Sequence, residues 1–171
     1  PWVIMVRLSL LMAKHRSGWN FGASHAIVWR NDRHKGACLM SNHPGVTAWH
    51  AYMASGGDPE LLSAQIADDA VFHSPVVHSP QTGKAKVMMY LLSAAKVLGN
   101  DSFTYVREVI EGNDALLEFT CDIDGIHVNG IDLIRFGPDG KIIDFKVMVR
   151  PVKAVNKLWE MMAAQLQAAA G

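Results

Sequence analysis

The spacing of apolar residues changes once along the chain, from a helical period to a strand period. Between residues 46 and 98, apolar side chains recur mostly every three or four positions, and Gly56-Gly57 and Gly99-Asn100 interrupt them. From residue 103 to residue 149, apolar and polar residues alternate, and Gly- and Asp-rich turns separate the alternating runs. The first period predicts amphipathic helices and the second predicts half-buried strands.

The pattern predicts four helices and five strands. Asp58 is a suitable N-cap and Pro59 a suitable first residue for the second helix, while Asp124-Gly125 is typical of a hairpin turn. The last four strands should therefore form an antiparallel meander, and helices followed by consecutive strands indicate the α+β class. The predicted helices are residues 46–55, 59–67, 84–98 and 154–169, and the predicted strands are 70–74, 103–110, 115–123, 126–136 and 142–149.

One carboxylate stands on a strand face that is otherwise apolar. In residues 126–136 the alternate positions are Ile126, Val128, Gly130, Asp132, Ile134 and Phe136. Burial disfavours an ionised carboxyl group and raises its pKa unless a donor or a cation compensates. Asp132 is therefore a candidate functional acid. A buried aspartate can equally accept hydrogen bonds that hold the sheet together, and the residues alone leave both interpretations open.

The opposite face of the meander is mixed rather than uniformly polar. Ile131, Leu133 and Met148 interrupt its polar positions. An apolar patch on the outside of a sheet commonly pairs with a second copy of the chain, so we expect a homodimer through this outer face. The alternative is a set of isolated surface hydrophobic residues, which are common.

Charge divides the chain into two parts. Residues 1–40 carry six Lys/Arg and one acid, whereas residues 41–171 carry ten Lys/Arg and fifteen Asp/Glu. We interpret residues 1–40 as a basic N-terminal extension that is poorly packed or not native, with a mitochondrial presequence as an alternative. Residues 41–171 are the predicted folded domain.

Several classes of protein are disfavoured by the composition. The net charge is zero and no base-reading motif is present, so no nucleic-acid partner is expected. No apolar run approaches the roughly 18–20 residues that span a membrane. Two cysteines are too few for a disulfide framework, so a reducing compartment, the cytoplasm, is expected. No phosphate-binding loop or dinucleotide fingerprint occurs, and His73 and His78 lack a third ligand, so neither a cofactor nor a metal is predicted.

Two segments resemble the nuclear transport factor 2-like superfamily, and within it the SnoaL-like and ketosteroid-isomerase-like members. The first is residues 66–72, IADDAVF, followed by Pro75, Gly83 and an apolar helix. The second is residues 130–136, GIDLIRF, followed by Asp-Gly-Lys-Ile. This resemblance, which covers about residues 46–150, implies a cone-shaped curved antiparallel sheet wrapped around three N-terminal helices, plus a C-terminal helix. It also implies an apolar ligand pocket.

The same resemblance assigns roles to individual positions. In the isomerases, an aspartate at the position of Asp132 stays protonated and donates to a developing oxyanion. A tyrosine from the first helix shares that role there, and the matching region here offers His50 or Tyr52. The isomerase base stands where this chain has Ser74, a poor base. Limonene-epoxide-hydrolase-like members need an Asp/Arg/Asp set, but Arg135 falls on the other face from Asp132 and alternation reveals no second inward carboxylate.

Two hypotheses of function follow. The first is a small-molecule-binding protein that acts as a proton-transfer enzyme, an isomerase, cyclase or dehydratase, on an apolar carbonyl-bearing or cyclic metabolite. In it Asp132 is the acid or oxyanion donor, Tyr90 or Tyr52 is its hydrogen-bond partner, and His78 or His50 is the candidate base. The predicted pocket is lined by Tyr52, Phe72, Ser74, Tyr105, Phe119, Ile134, Phe145 and Val147.

The second hypothesis is a non-catalytic dimeric module that binds a ligand or a protein. The poor base at Ser74 favours it. The expected partners are a small apolar ligand and, under both hypotheses, a second copy of the chain.

Overall fold

The structure, a computed structural model, describes residues 43–170. The predicted N-terminal extension of residues 1–40 lies outside the described residues. None of the helices within residues 43–170 combines the length and the apolar character needed to cross a membrane. The elements in chain order are α1 (Pro44–Ala54), α2 (Pro59–Gln65), β1 (Ile66–His73), β2 (Gln81–Thr82), α3 (Lys84–Leu98), β3 (Thr104–Glu111), β4 (Asp114–Ile123), β5 (Ile126–Phe136), β6 (Ile142–Arg150) and α4 (Val152–Ala170).

Local sequence signals explain where the first helices begin. Pro44 follows the N-cap residue His43, whose Nδ1 accepts a hydrogen bond from the Val46 N–H at 3.4 Å. Asp58 caps α2 as predicted, since its Oδ1 accepts from the Glu60 N–H at 2.8 Å. A helix start is stabilised when a side chain accepts one of its unpaired N–H groups.

The six strands form one curved, unclosed sheet in the order β2-β1-β6-β5-β4-β3. Strands β3 to β6 form the predicted antiparallel meander, whereas β1 pairs with β6 in parallel. The predicted α+β cone is confirmed, and the sheet is mixed because the parallel β1–β6 pair, which the sequence did not predict, adds to the antiparallel meander. Strand pairing between distant segments is a long-range event that alternation within one segment does not encode.

Strand β1 is longer than predicted. Asp68-Asp69, which the sequence pattern treated as the break after α2, lie inside β1 at a register shift between Ile66 and Val71. A bulge of this kind bends a strand and leaves residues unpaired, which suits two exposed carboxylates. The two-residue strand β2 was not predicted.

The buried faces of the meander agree with the predicted alternation. Helix α1 approaches the end of β5 closely at Gly45, where an added Cβ would overlap the Phe136 ring and lie 2.8 Å from the Gly140 carbonyl oxygen. This approach positions the rest of α1 over the sheet. The buried rows comprise Leu117, Phe119, Cys121 and Ile123 on β4, and Val128, Asp132, Ile134 and Phe136 on β5.

Candidate active site

A cavity of about 430 Å³ is lined by helices, strands and the loop before β3. Ligand sites are typically apolar cavities of about 300–1,000 Å³ with a few polar groups, and this cavity falls in that range. The helices and the turn after α1 contribute Trp49, Tyr52, Met53, Gly56, Gly57, Leu91, Ala94, Ala95 and Leu98. The loop before β3 contributes Gly99, Asn100, Asp101 and Phe103, and the strands contribute Thr104, Tyr105, Phe119, Asp132, Phe145 and Val147.

Asp132 is buried in the wall of this cavity and belongs to a series of three hydrogen-bonded side chains. Its exposed fraction is 6%. The Tyr105 hydroxyl donates to Asp132 Oδ2 at 2.8 Å, and the Trp49 Nε1–H donates to the Tyr105 oxygen at 2.9 Å. We call this series the Asp132 network. The indole N–H of Trp49 can only donate, so the Tyr105 oxygen accepts that hydrogen bond and the Tyr105 proton is directed at the carboxyl group of Asp132.

The surroundings hold Asp132 near the midpoint of its titration at neutral pH. Burial raises the pKa of Asp132 from its ordinary value of 3.8 to about 7, although the hydrogen bond from Tyr105 acts in the opposite direction. Burial, followed by the charge of Asp132, raises the pKa of Tyr105 well above 10. Tyr105 therefore stays protonated while Asp132 exchanges its proton.

A bulge in β3 brings Tyr105 into the cavity. Tyr105 pairs with Phe119, but the next paired residue is Arg107, so Val106 is left without a partner on β4. Strict alternation would place Tyr105 and Glu108 on opposite faces. The bulge instead places both on the helix side, because Glu108 lies opposite the buried Leu117. The expectation of no second inward carboxylate was therefore wrong.

Comparison with known proteins identifies the family. Residues 46–145 match the SnoaL-like domain. This chain belongs to the SnoaL-like family. No match to this SnoaL-like protein is found among curated protein sequences.

Solved structures agree with that assignment. A steroid delta-isomerase from Pseudomonas aeruginosa is 36% identical with a TM-score of 0.69, over 74% of this chain and 91% of that one. An uncharacterised protein with a cystatin-like fold from Silicibacter pomeroyi is 33% identical with a TM-score of 0.70, over 77% and 91%. A protein with a ketosteroid isomerase-like fold from Catenulispora acidiphila shares the fold at 19% identity, with a TM-score of 0.50, over 66% and 88%. The predicted superfamily is confirmed.

The predicted partners of Asp132 were wrong. In this SnoaL-like protein Tyr105 donates to the carboxyl group, whereas Tyr90 packs on Phe72 with ring centroids 5.4 Å apart and does not line the cavity. Tyr52 lines the cavity, but its hydroxyl does not bond to Asp132. Trp49 was not predicted as a site residue, although it stands three residues before Tyr52 in the predicted helix of residues 46–55.

The predicted histidine bases lie away from the cavity wall. His50 Nε2 lies 2.8 Å from Glu108 Oε1, and its ring meets the Tyr105 ring edge-on at 5.7 Å between centroids. His78 is exposed in the loop before β2. Neither lines the cavity. His50 thus contacts Glu108 and Tyr105 rather than the cavity.

Five of the eight predicted pocket residues line the cavity, namely Tyr52, Tyr105, Phe119, Phe145 and Val147. Phe72 and Ser74 instead line a separate void of about 30 Å³ beside α4. Ile134 is fully buried and lines neither space. It lies two residues after Asp132 on β5, and its cross-strand neighbours are Ala115 and Phe145. No cluster of three potential metal ligands occurs among residues 43–170.

Gly130 leaves the space that the Phe119 ring occupies in the cavity wall. Gly130 is the cross-strand neighbour of Phe119, and an added Cβ would overlap that ring and lie 2.6 Å from Cε1. Gly130→Ala should therefore lower the free energy of unfolding by about 1–3 kcal/mol, because the ring must leave its position. Urea denaturation measures the loss. The double variant Gly130→Ala/Phe119→Leu should recover part of it, and an unchanged midpoint in Gly130→Ala contradicts the steric argument.

Proposed function

We propose that this SnoaL-like protein is a proton-transfer enzyme, an isomerase or cyclase, that acts on an apolar carbonyl-bearing or cyclic small molecule. The observation that supports the proposal most is the Asp132 carboxyl group, which is buried in the wall of a mostly apolar cavity and hydrogen-bonded to Tyr105. A perturbed acid in such a cavity is a typical feature of catalytic sites.

The chemistry follows from the two protonation states of Asp132. The ionised carboxylate accepts a proton from a carbon next to the substrate carbonyl, and the resulting acid returns that proton to another carbon of the same molecule. A pKa of about 7 suits both steps, since neither state is scarce at neutral pH. Tyr105 stabilises the ionised state, and Trp49 fixes the position of the Tyr105 oxygen.

A single proton-transfer group favours isomerisation over reactions that need two. Among the described residues, the other carboxylate in the cavity lining is Asp101, which is exposed in the loop before β3. Ser74, at the position of the isomerase base, does not line the cavity. One carboxyl group that takes and returns a proton needs no second base. The 36% identity with a steroid delta-isomerase supports the same reaction class.

A panel of cyclic β,γ-unsaturated ketones, from one ring to four, tests the proposal. Migration of the double bond into conjugation increases ultraviolet absorbance, so the reaction is followed directly. We expect the wild-type protein to convert at least one member of the panel, with a rate that rises through pH 7 as Asp132 ionises. A panel in which no member is converted, or a rate that is the same at pH 5 and pH 8, contradicts the proposal.

We also infer that two copies pair through the outer sheet face. Val109, Leu116 and Leu133 are cross-strand neighbours on β3, β4 and β5, and Ile131 lies opposite Met148 beside them. Leu133 is 37% exposed and Met148 is 56% exposed. Together these five residues form an apolar patch, which we call the outer patch. Such patches favour a two-fold self-complementary contact.

Leu133→Glu should disrupt this pairing. A carboxylate at the centre of the outer patch would lose its hydration on pairing, and its cross-strand neighbour Lys146 would offset only part of that cost, so association should weaken by about tenfold or more. Light scattering after size-exclusion chromatography reports the mass. Val152→Glu, on α4, is the matched control because Val152 is 76% exposed and lies outside the patch. A wild-type monomer, or a dimer that Leu133→Glu leaves intact, contradicts the inference.

A further inference from the structure

Tyr52 carries a buried hydroxyl group that has no hydrogen-bond partner in the protein. The residue is 1% exposed and lines the cavity. Its oxygen is inaccessible to solvent and has no partner among the described residues. Buried polar groups in native proteins are almost always hydrogen-bonded, so an exception inside a ligand-sized cavity calls for an explanation.

The Tyr52 hydroxyl lies apart from the Asp132 network. The Tyr52 ring packs on Trp49, with centroids 5.1 Å apart, whereas the indole N–H of Trp49 donates to Tyr105. The hydroxyl lies beside the turn after α1, since a Cβ added to Gly57 would be 3.7 Å from its oxygen. Gly57 also lines the cavity. Asp132 and the Tyr52 hydroxyl are thus two separate buried polar groups on residues that line the cavity.

The Tyr52 hydroxyl keeps its proton at every physiological pH. Burial raises the pKa of Tyr52 from 10.0 to about 12. A phenol that stays neutral in an apolar wall is suited to donate to a keto, ether or hydroxyl oxygen.

We infer that the Tyr52 side chain shifts when the substrate binds, so that its now buried hydroxyl donates a hydrogen bond to a second oxygen of the substrate. The substrate class is then an apolar ring compound with two oxygen functions, one that reacts at Asp132 and one that is held at Tyr52. This inference rests on the proposed function, because it takes the reacting group to lie at Asp132. A hydrogen bond to an otherwise unpaired buried group discriminates strongly against a compound that lacks the matching oxygen.

Naphthols test the inference because they share one apolar skeleton. The probes are 2-naphthol, with one hydroxyl, and the 1,5-, 2,6- and 2,7-dihydroxynaphthalenes, which space two hydroxyls differently. Fluorescence titration gives the Kd of each. We expect the wild-type protein to bind at least one diol about tenfold more tightly than 2-naphthol, and Tyr52→Phe to abolish that preference. Tyr90→Phe, whose hydroxyl is outside the cavity, should preserve it.

Equal affinities for all four compounds in the wild type, failure of all four to bind, or a preference that survives in Tyr52→Phe would overturn the inference. Thermal unfolding adds an independent criterion. Because the substitution removes a hydroxyl with no protein partner, Tyr52→Phe should keep the wild-type Tm or exceed it. A Tm that falls by several degrees would instead identify the hydroxyl as a structural group and contradict the inference.

The two proposals fail in different ways. If Tyr52→Phe keeps the diol preference while Asp132→Asn abolishes isomerisation, the proposed hydrogen bond from Tyr52 to the substrate is wrong and the proposed function stands. If Asp132→Asn isomerises the ketones at the wild-type rate while Tyr52→Phe loses the diol preference, the reaction assignment is wrong and the Tyr52 site stands. Carboxyl ¹³C NMR of Asp132 in Tyr52→Phe should still report a pKa of about 7.

Discussion

Asp132→Asn should lower turnover about a hundredfold or more, and its stability relative to the wild type should rise as pH increases from 4 to 8. The amide is nearly isosteric and can still accept the Tyr105 hydrogen bond through its oxygen, but it cannot accept a proton from carbon. Loss of a positioned proton-transfer group typically lowers the rate by about 10²–10⁴-fold, so a decrease of this size is expected on any ketone that the wild type converts. The ultraviolet assay of the ketone panel measures it.

The stability gain follows from the sign of the pKa shift. The folded-state pKa of Asp132 is about 7, against 3.8 in an unfolded chain. Below pH 3.8 the carboxyl group is protonated in both states and contributes no pH dependence. Between pH 3.8 and 7 the folded state binds more protons, so wild-type stability falls as pH rises, and above pH 7 the full penalty applies. About three pKa units correspond to an upper limit of about 4 kcal/mol.

Urea denaturation at several pH values isolates this effect. The stability of Asp132→Asn relative to wild type should rise between pH 4 and pH 8 by up to about 4 kcal/mol, whatever constant offset the buried amide introduces. Asp68→Asn, which removes an exposed carboxylate on β1 of the same sheet, is the matched control and should show no comparable rise. Parallel stability curves for wild type and Asp132→Asn would show that Asp132 has an ordinary pKa.

Tyr105→Phe should shift the pH dependence of the reaction rather than abolish it. The Tyr105 hydroxyl lowers the pKa of Asp132, so its removal should raise that pKa above 7. Because the ionised carboxylate is the proton acceptor, the acidic limb of the rate profile should move to higher pH. A shift of one unit lowers the rate at pH 7 by up to about tenfold, and the rate should recover as pH rises.

Two measurements check the Tyr105 prediction, the pH–rate profile and the titration of Asp132 by carboxyl ¹³C NMR. Tyr90→Phe is the matched control, since its hydroxyl does not contact the Asp132 network. A rate that falls equally at all pH values would indicate a steric effect of the substitution. An acidic limb that stays at about pH 7 in Tyr105→Phe would show that the phenol does not tune the carboxyl group.

The inward direction of Asp132 could be predicted because side-chain direction along a strand is a local property. Successive residues of a strand point to opposite faces, so one carboxylate in an apolar row of residues 126–136 already indicated burial. The structure agrees, with Asp132 at 6% exposure. The same local logic predicted α3 at its observed bounds and the hairpins between β3 and β6. The IADDAVF and GIDLIRF segments added the family, which the match over residues 46–145 confirms.

The sequence by itself therefore determined the α+β class, the faces of the meander and the one acid worth testing. The tertiary structure decided which groups meet that acid. Tyr105 reaches Asp132 across 27 residues and Trp49 reaches Tyr105 across 56, and such meetings depend on how separate elements pack. The bulge at Val106 placed Tyr105 and Glu108 on one face, and the parallel β1–β6 pair set the edge of the sheet. The physical reason is that a period reports the direction of side chains within one element, whereas a bulge and a strand pairing depend on the neighbouring strand.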